Sequence, residues 1–180
     1  MASGNYDIIC EQGTTFRLNV NYYDNSGSAY NLVPSDAPSK FWLRMDIRTS
    51  LYESNTSASG LIVRFSTEND FNYTGTIAAG TTGNILAGHA SLNGQILDVT
   101  GGTYAASGVT GQISLFLSHH ITEQVPSGSY LFDMFLYEDT GILGGDVGDA
   151  GTTGGTADAI AHKLLQGKFI VIPSVTEPSA

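Results

Sequence analysis

Two adjacent histidines, His119 and His120, lie four and three residues before Glu123 and form the group best suited to metal or acid–base chemistry. Imidazole and carboxylate groups are common ligands of zinc. If the pair lies on a strand, however, the two rings point to opposite faces and can share one ion only across a bulge. We therefore expect a solvated pair at a loop edge. The alternative is a symmetry axis that brings copies of one histidine together.

A second group of potential ligands is acidic and lies in a Gly-rich segment that contains Asp146, Asp149 and Asp158. Carboxylates in flexible loops suit calcium, which takes oxygen ligands. The spacing is not that of an EF-hand, and only one imperfect Gly/Asp repeat is present. We expect a solvated loop here, and we predict no bound metal or cofactor.

No nucleophile elbow, phosphate loop, dinucleotide fingerprint or zinc-protease motif occurs in the chain, so no enzymatic activity is predicted. Aromatic and arginine side chains are a better indication of function, because they dominate binding hot spots. Trp42 lies opposite Leu43 on its strand, so it packs either within the domain or against a partner. The candidate interface residues are Trp42, Arg44, Arg48, Tyr73, Tyr104, His119, His120, Asp146 and Asp149.

The charge distribution excludes several classes of partner. The formal net charge is −10, and no Lys or Arg occurs in the 98 residues between Arg64 and Lys163. A phosphate backbone or an anionic bilayer would not be attracted to such a chain, so neither nucleic acid nor membrane is an expected partner. Charged residues make up only 13% of the sequence, which is about half the usual share. A surface so poor in charge is typical of β-sheet proteins that work in assemblies or outside cells.

The sequence also bears on cellular location and redox state. Cys10 is the single cysteine, so no intrachain disulfide is possible, and we expect its thiol to be buried. The first residues have neither the basic nor the apolar region of a signal peptide. No apolar run approaches the roughly 18 residues that span a bilayer. We expect synthesis in the cytoplasm.

Alternation of apolar and polar residues recurs along the chain and predicts β-strands. Runs of this kind start near Phe16, Phe41, Leu61 and Ile113. Residues 130–137 are apolar at almost every position, which predicts a strand in the middle of a sheet, and the last strand ends before Pro173. Asp158–Leu165 is either a short helix or the beginning of that last strand. Residues typical of turns separate these runs, and this arrangement predicts an all-β, antiparallel β-sandwich.

Two Gly-rich regions interrupt this pattern within what we interpret as a single domain, residues 1–180. Residues 68–111 contain 9 Gly in 44 positions, and we predict an inserted hairpin on the domain surface. Residues 144–159 contain 6 Gly in 16 positions, which predicts a projecting loop between the last two strands. Residues 173–180 are predicted to form a C-terminal tail.

The order of several short motifs resembles that of a family of small immunoglobulin-like β-sandwich domains found in baseplate, tail-fibre and adaptor proteins of tailed phages. The similarity covers about residues 5–67 and 111–177 and omits both Gly-rich regions. It depends on Gln12-Gly13-Thr14-Thr15-Phe16, Leu43-Arg44-Met45-Asp46-Ile47-Arg48, Gly111-Gln112-Ile113-Ser114-Leu115, Pro126-Ser127-Gly128-Ser129-Tyr130, Phe132-Asp133-Met134 and Leu165-Gln166-Gly167-Lys168-Phe169 with the residues that follow. Tyr130 also invites comparison with the tyrosine corner of immunoglobulin domains, and Asp133 is expected to be solvated or paired with Arg44 or Arg48.

The resemblance implies a non-enzymatic virion structural protein in the tail, baseplate or fibre-attachment region. Its expected partners are other virion proteins and further copies of itself in a symmetric assembly. Two alternatives are a capsid decoration or head–tail neck protein, and a carbohydrate-binding module that uses surface Tyr and Trp. Copy number in the particle would distinguish the first alternative from a tail component. Titration with glycans would distinguish the second alternative from a structural role.

Overall fold

A computed structural model of the protein describes residues 4–32, 40–49, 60–67, 86–92, 96–97, 104–105, 110–139 and 159–174. In these ranges the chain forms eleven strands and one short helix. They are β1 (Gly4–Asn5), β2 (Ile8–Glu11), β3 (Phe16–Asn21), β4 (Lys40–Arg48), β5 (Leu61–Ser66), β6 (Leu86–Leu92), β7 (Ile96–Leu97), β8 (Tyr104–Ala105), β9 (Gln112–Leu117), α1 (His119–Gln124), β10 (Gly128–Asp139) and β11 (Ala159–Ile172). Within the described residues, no helix is both long enough and apolar enough to cross a membrane.

Nine strands form one curled sheet in the order β1-β11-β10-β4-β5-β6-β9-β3, with β2 also paired to β11. The curl brings its two ends together, since the ring of Phe16 on β3 lies 5.5 Å from that of Phe169 on β11 and 6.2 Å from that of Phe65 on β5. The predicted all-β class is confirmed.

The sheet is mixed, whereas the sequence pattern led us to expect antiparallel pairing throughout. β6 runs parallel to β5, and both β1 and β2 run parallel to β11. Parallel neighbours need a long connection, and 19 residues separate Ser66 from Leu86. The long Gly-rich segment therefore lets the chain return in the same direction, which a tight turn does not allow.

β6 corrects the prediction that the whole of residues 68–111 lies on the surface. Leu86–Leu92 is inserted between β5 and β9, and every residue of the strand except His89 is buried. A Cβ atom at Gly88 would collide with the ring of Phe65, so the sheet is closely packed there. The alternating pattern missed this strand because small residues fill it. Within the same region β7 and β8 form a short antiparallel pair.

One face of the sheet forms the core, and alternation in the sequence explains it. On β4 the residues Leu43, Met45 and Ile47 are fully buried, and on β10 the residues Met134 and Leu136 are too. Burying one such side chain contributes about 1.5–3 kcal/mol. The central strands are therefore held mainly by their inner face.

Several local predictions are confirmed at the ends of strands. β10 and β11 form an antiparallel hairpin whose ends pair Asp139 with Ala159, so the predicted loop between them lies almost entirely outside the described residues. β11 begins at Ala159. The segment Asp158–Leu165 was predicted to be either a short helix or the beginning of the last strand, and its residues from Ala159 onwards belong to the strand. Residues 175–180 of the predicted tail also lie outside the described ranges, after Pro173 and Ser174.

Tyr130 forms the hydrogen bond that the tyrosine-corner comparison suggested. Its hydroxyl donates to the backbone carbonyl of Pro126, four residues upstream, at 2.7 Å. Burial raises the pKa of this hydroxyl, which keeps it protonated and able to donate. In the turn between β2 and β3, Gly13 has a φ of 71°, a conformation that glycine adopts without steric cost.

Candidate interaction surface

The side of β4 and β10 that faces away from the core carries a row of charged and aromatic side chains. Cross-strand partners share one face of a sheet. The register therefore pairs Trp42 with Tyr137, Arg44 with Phe135, Asp46 with Asp133 and Arg48 with Leu131. We call this surface the outer face. It includes these eight residues and the flanking Arg64 of β5 and Lys163 and Lys168 of β11.

Aromatic stacking closes one end of the outer face. The rings of Trp42 and Tyr137 are nearly parallel, with centroids 3.6 Å apart, and the Arg44 guanidinium lies 5.6 Å from the Trp42 ring. Trp42 is only 7% exposed. A sugar platform needs an open ring face, so this tryptophan does not fit that role. Its described contacts lie within the domain, and its participation in an interface stays a prediction.

Asp46 is the centre of a buried charge cluster. Arg64 donates two hydrogen bonds to its carboxylate, Nε to Oδ1 at 2.6 Å and Nη2 to Oδ2 at 2.8 Å. Arg48 donates a third, from Nη2 to Oδ2 at 2.9 Å. Burial alone raises the pKa of Asp46, but the hydrogen bonds and charges of the two arginines outweigh it and hold the pKa below its ordinary value.

Asp133 lies directly across from Asp46, so two carboxylates face each other on adjacent strands. Its nearest cation is Lys163, with Nζ 3.7 Å from Oδ2, and not Arg44 or Arg48 as the sequence suggested. The register of β11, which slips at Met134/Phe135, brings this lysine next to β10. Burial and the charge of Asp46 raise the pKa of Asp133 despite the opposing effect of Lys163.

Two N–H groups of the outer face, Trp42 Nε1 and Arg48 Nη1, are buried and have no hydrogen-bond partner within the described part of the chain. A buried donor that stays unsatisfied costs about 1–3 kcal/mol.

A second surface of interest is the sheet edge formed by β2, which pairs only with β11 among the described strands. Ile9 is 64% exposed and lies beside Ile170, while Ile172 is 45% exposed and lies beside Glu11. Asp7 precedes β2, and its Oδ1 accepts a hydrogen bond from the backbone N–H of Lys168. We call Asp7, Ile9, Glu11, Ile170 and Ile172 the edge patch.

Sequence reasoning missed the edge patch, although a signal for it exists. Residues 169–172 are apolar at four successive positions, which indicates apolar side chains on both sides of the strand. Phe169 and Val171 fill the core, so Ile170 and Ile172 must face outwards. Only the pairing of β11 with the short strand β2 shows that this outward side lies at an open edge.

The histidine pair lies on a helix and not on a strand, which corrects the geometric argument made from sequence. His119 and His120 begin α1, are both exposed, and have ring centroids 3.8 Å apart. The strand β9 ends at Leu117, so the chain turns before the pair. No group of three or more metal-ligating side chains occurs among the described residues.

The remaining predicted residues are placed only in part. Tyr104 lies on β8, where its backbone pairs with Leu97. Tyr73, Asp146 and Asp149 lie outside the described residues, as does Asp158. Cys10 is buried as predicted, and burial raises its pKa to about 11.

A further cluster that the sequence did not indicate is aromatic and lies on the core side, at the end of the sheet near Phe41. The rings of Tyr22 and Tyr30 are 5.6 Å apart, and that of Tyr30 is 5.5 Å from Phe41 in an edge-to-face arrangement. Glu138, which pairs with Phe41 across the strands, has Oε2 3.4 Å from Nε2 of His162. These contacts close one end of the core.

The chain matches no protein-family model and no curated protein sequence. The fold and the two surfaces are therefore the basis for the functional proposal, together with the motif resemblance.

Proposed function

We propose that the protein is a non-enzymatic structural component of a tailed-phage virion, in the tail, baseplate or fibre-attachment region. The order and spacing of the motifs in residues 5–67 and 111–177 support this proposal. So does the Tyr130 hydrogen bond to Pro126, because such corners are characteristic of immunoglobulin-like sandwiches.

The observation that carries the proposal is the edge patch. Proteins that work as monomers usually protect an open sheet edge with charge, proline or a covering segment. Here Ile9 is 64% exposed at the middle of an edge strand, and Ile172 is 45% exposed beside it. Exposed apolar side chains grouped at an edge indicate a surface that another polypeptide covers.

The mechanism is assembly. Burial of the edge patch between neighbouring subunits removes apolar surface from water, at about 25 cal/mol per Å². A charge content of 13% suits surfaces that become buried, because interface cores are depleted of Lys, Glu and Asp. Rotational symmetry repeats the same weak contact and thereby stabilises the assembly.

Quantitative mass spectrometry of purified particles from the phage that encodes the chain tests this proposal. We expect the chain in every particle, at roughly six to a few tens of copies, because rotational symmetry sets the stoichiometry of tails and necks. Hundreds of copies would move it to the capsid surface as a decoration protein. Its absence from all particles would contradict a virion role.

A further inference from the structure

The basic residues of the chain are concentrated on one surface. Five of the seven lie among the residues that define the outer face, together with the acidic residues Asp46 and Asp133. The rest of the sequence contains fifteen acidic residues and two basic ones, Arg17 and Lys40. The residues that define the outer face thus carry an excess of positive charge, on a chain whose net charge is −10.

Some of this positive charge is accessible. Lys168 is exposed, and the side chain of Lys163 is 35% exposed. Arg48 is buried, and both Arg48 and Arg64 are used by Asp46. The outer face therefore offers its two lysine cations to a partner that brings carboxylates.

The edge patch has the complementary character. Ile9 lies between Asp7 and Glu11, and all three side chains are exposed. This gives an apolar centre with a carboxylate on either side. The outer face offers half-buried Phe135 and Leu131 beside its lysines, so apolar and charged groups match on both surfaces.

We infer that two copies of the chain bind each other with the edge patch of one against the outer face of the other. This inference deepens the proposed function by naming the contact surfaces. Two outer faces repel each other, so each must meet an acidic surface. Both surfaces lie on the same side of the sheet, joined where Lys168 adjoins Ile170 on β11. One two-fold axis therefore forms both contacts at once.

Sedimentation equilibrium of the purified full chain tests the inference. We expect a dimer at about 0.1 M salt that weakens at about 1 M, where the Debye length falls from about 10 Å to about 3 Å. Lys168→Glu should raise the dissociation constant by about tenfold, because the altered contact occurs twice in the dimer. Adding Glu11→Lys to that variant should restore much of the affinity, which a folding defect cannot do.

Arg17→Glu is the matched control, because it makes the same change in net charge on β3, which contributes no residue to either surface. It should leave the dissociation constant unchanged. A wild-type chain that stays monomeric at low salt, or equal effects of the two reversals, would overturn the inference. The proposed function is judged separately: a chain present in virions at fixed copy number, but monomeric when purified, retains that function and loses this contact.

Discussion

The two faces of β4 and β10 are built from alternate residues of the same two strands, yet they are stabilised in different ways. On the inner face Leu43, Met45 and Ile47 belong to the same core as Phe132, and each of these four residues is at most 2% exposed. The outer face has a charge cluster, a stacked aromatic pair and two donors without acceptors in the described part of the chain. Hydrophobic burial is non-directional, whereas the outer face depends on particular partners.

The inner face therefore stabilises the fold, whereas the outer face is the one that we propose as an interaction surface. An apolar inner face tolerates changes that keep volume and shape. The outer face tolerates little change in charge, because Asp46 and Asp133 are adjacent, and Asp46 is paired with Arg48 and Arg64 whereas Asp133 lies within 3.7 Å of Lys163. We expect substitutions on the two faces to differ in size and even in sign.

The largest effect is expected from Phe132→Ala, which opens a cavity in the core. Phe132 is 2% exposed, and losses for buried phenylalanine are about 3–5 kcal/mol. Phe135→Ala, three residues along β10 on the outer face, should cost roughly 1 kcal/mol because that ring is only half-buried. Urea unfolding midpoints measure both, and equal losses would contradict the division into two faces.

A smaller but more specific effect is expected from the opposed carboxylates. Asp46→Asn leaves Arg48 and Arg64 without a counter-charge and should destabilise the protein by about 3 kcal/mol at pH 7. Asp133→Asn is the matched control and should be neutral or slightly stabilising, since it relieves repulsion by Asp46 and loses only a 3.7 Å contact with Lys163. Equal destabilisation by both substitutions would contradict the assignment of Asp46 as the structural carboxylate.

The same pair predicts the direction of pH dependence. The pKa of Asp133 is raised, so its unfavourable contribution applies at neutral pH and is relieved as the pH falls through that raised value towards 3.8. The pKa of Asp46 is lowered, so its contribution is complete above 3.8 and is lost as the pH falls through the lowered value. The Asp46→Asn variant should lack this second loss.

Alternation in the sequence predicted most strands of the sheet, because one buried face imposes a period of two. β3, β4, β5 and β9 start within a residue or two of the expected positions. β6 was missed as a core strand because Ala87, Gly88 and Ala90 carry too little apolar volume to give a signal, although Phe65 packs on that glycine. Packing against small residues is a tertiary property that local patterns do not contain.

The candidate surfaces were predictable only in part. Trp42, Arg44 and Arg48 were correctly expected to share one face, since alternation requires it. Asp133 was expected to be solvated or paired with Arg44 or Arg48, and the contact with Lys163 was not foreseen because it depends on a register shift on β11. The edge patch depends on which strand ends the sheet, and the two strands that meet there, β2 and β11, are separated by 147 residues from Glu11 to Ala159.

Electron cryo-microscopy of an assembly purified with the chain tests the proposed assembly role most directly. We predict copies related by rotational symmetry, each with Ile9 and Ile172 buried against another copy and the acidic residues of that patch facing its lysines. A particle in which the edge patch of every copy faces solvent would contradict the account.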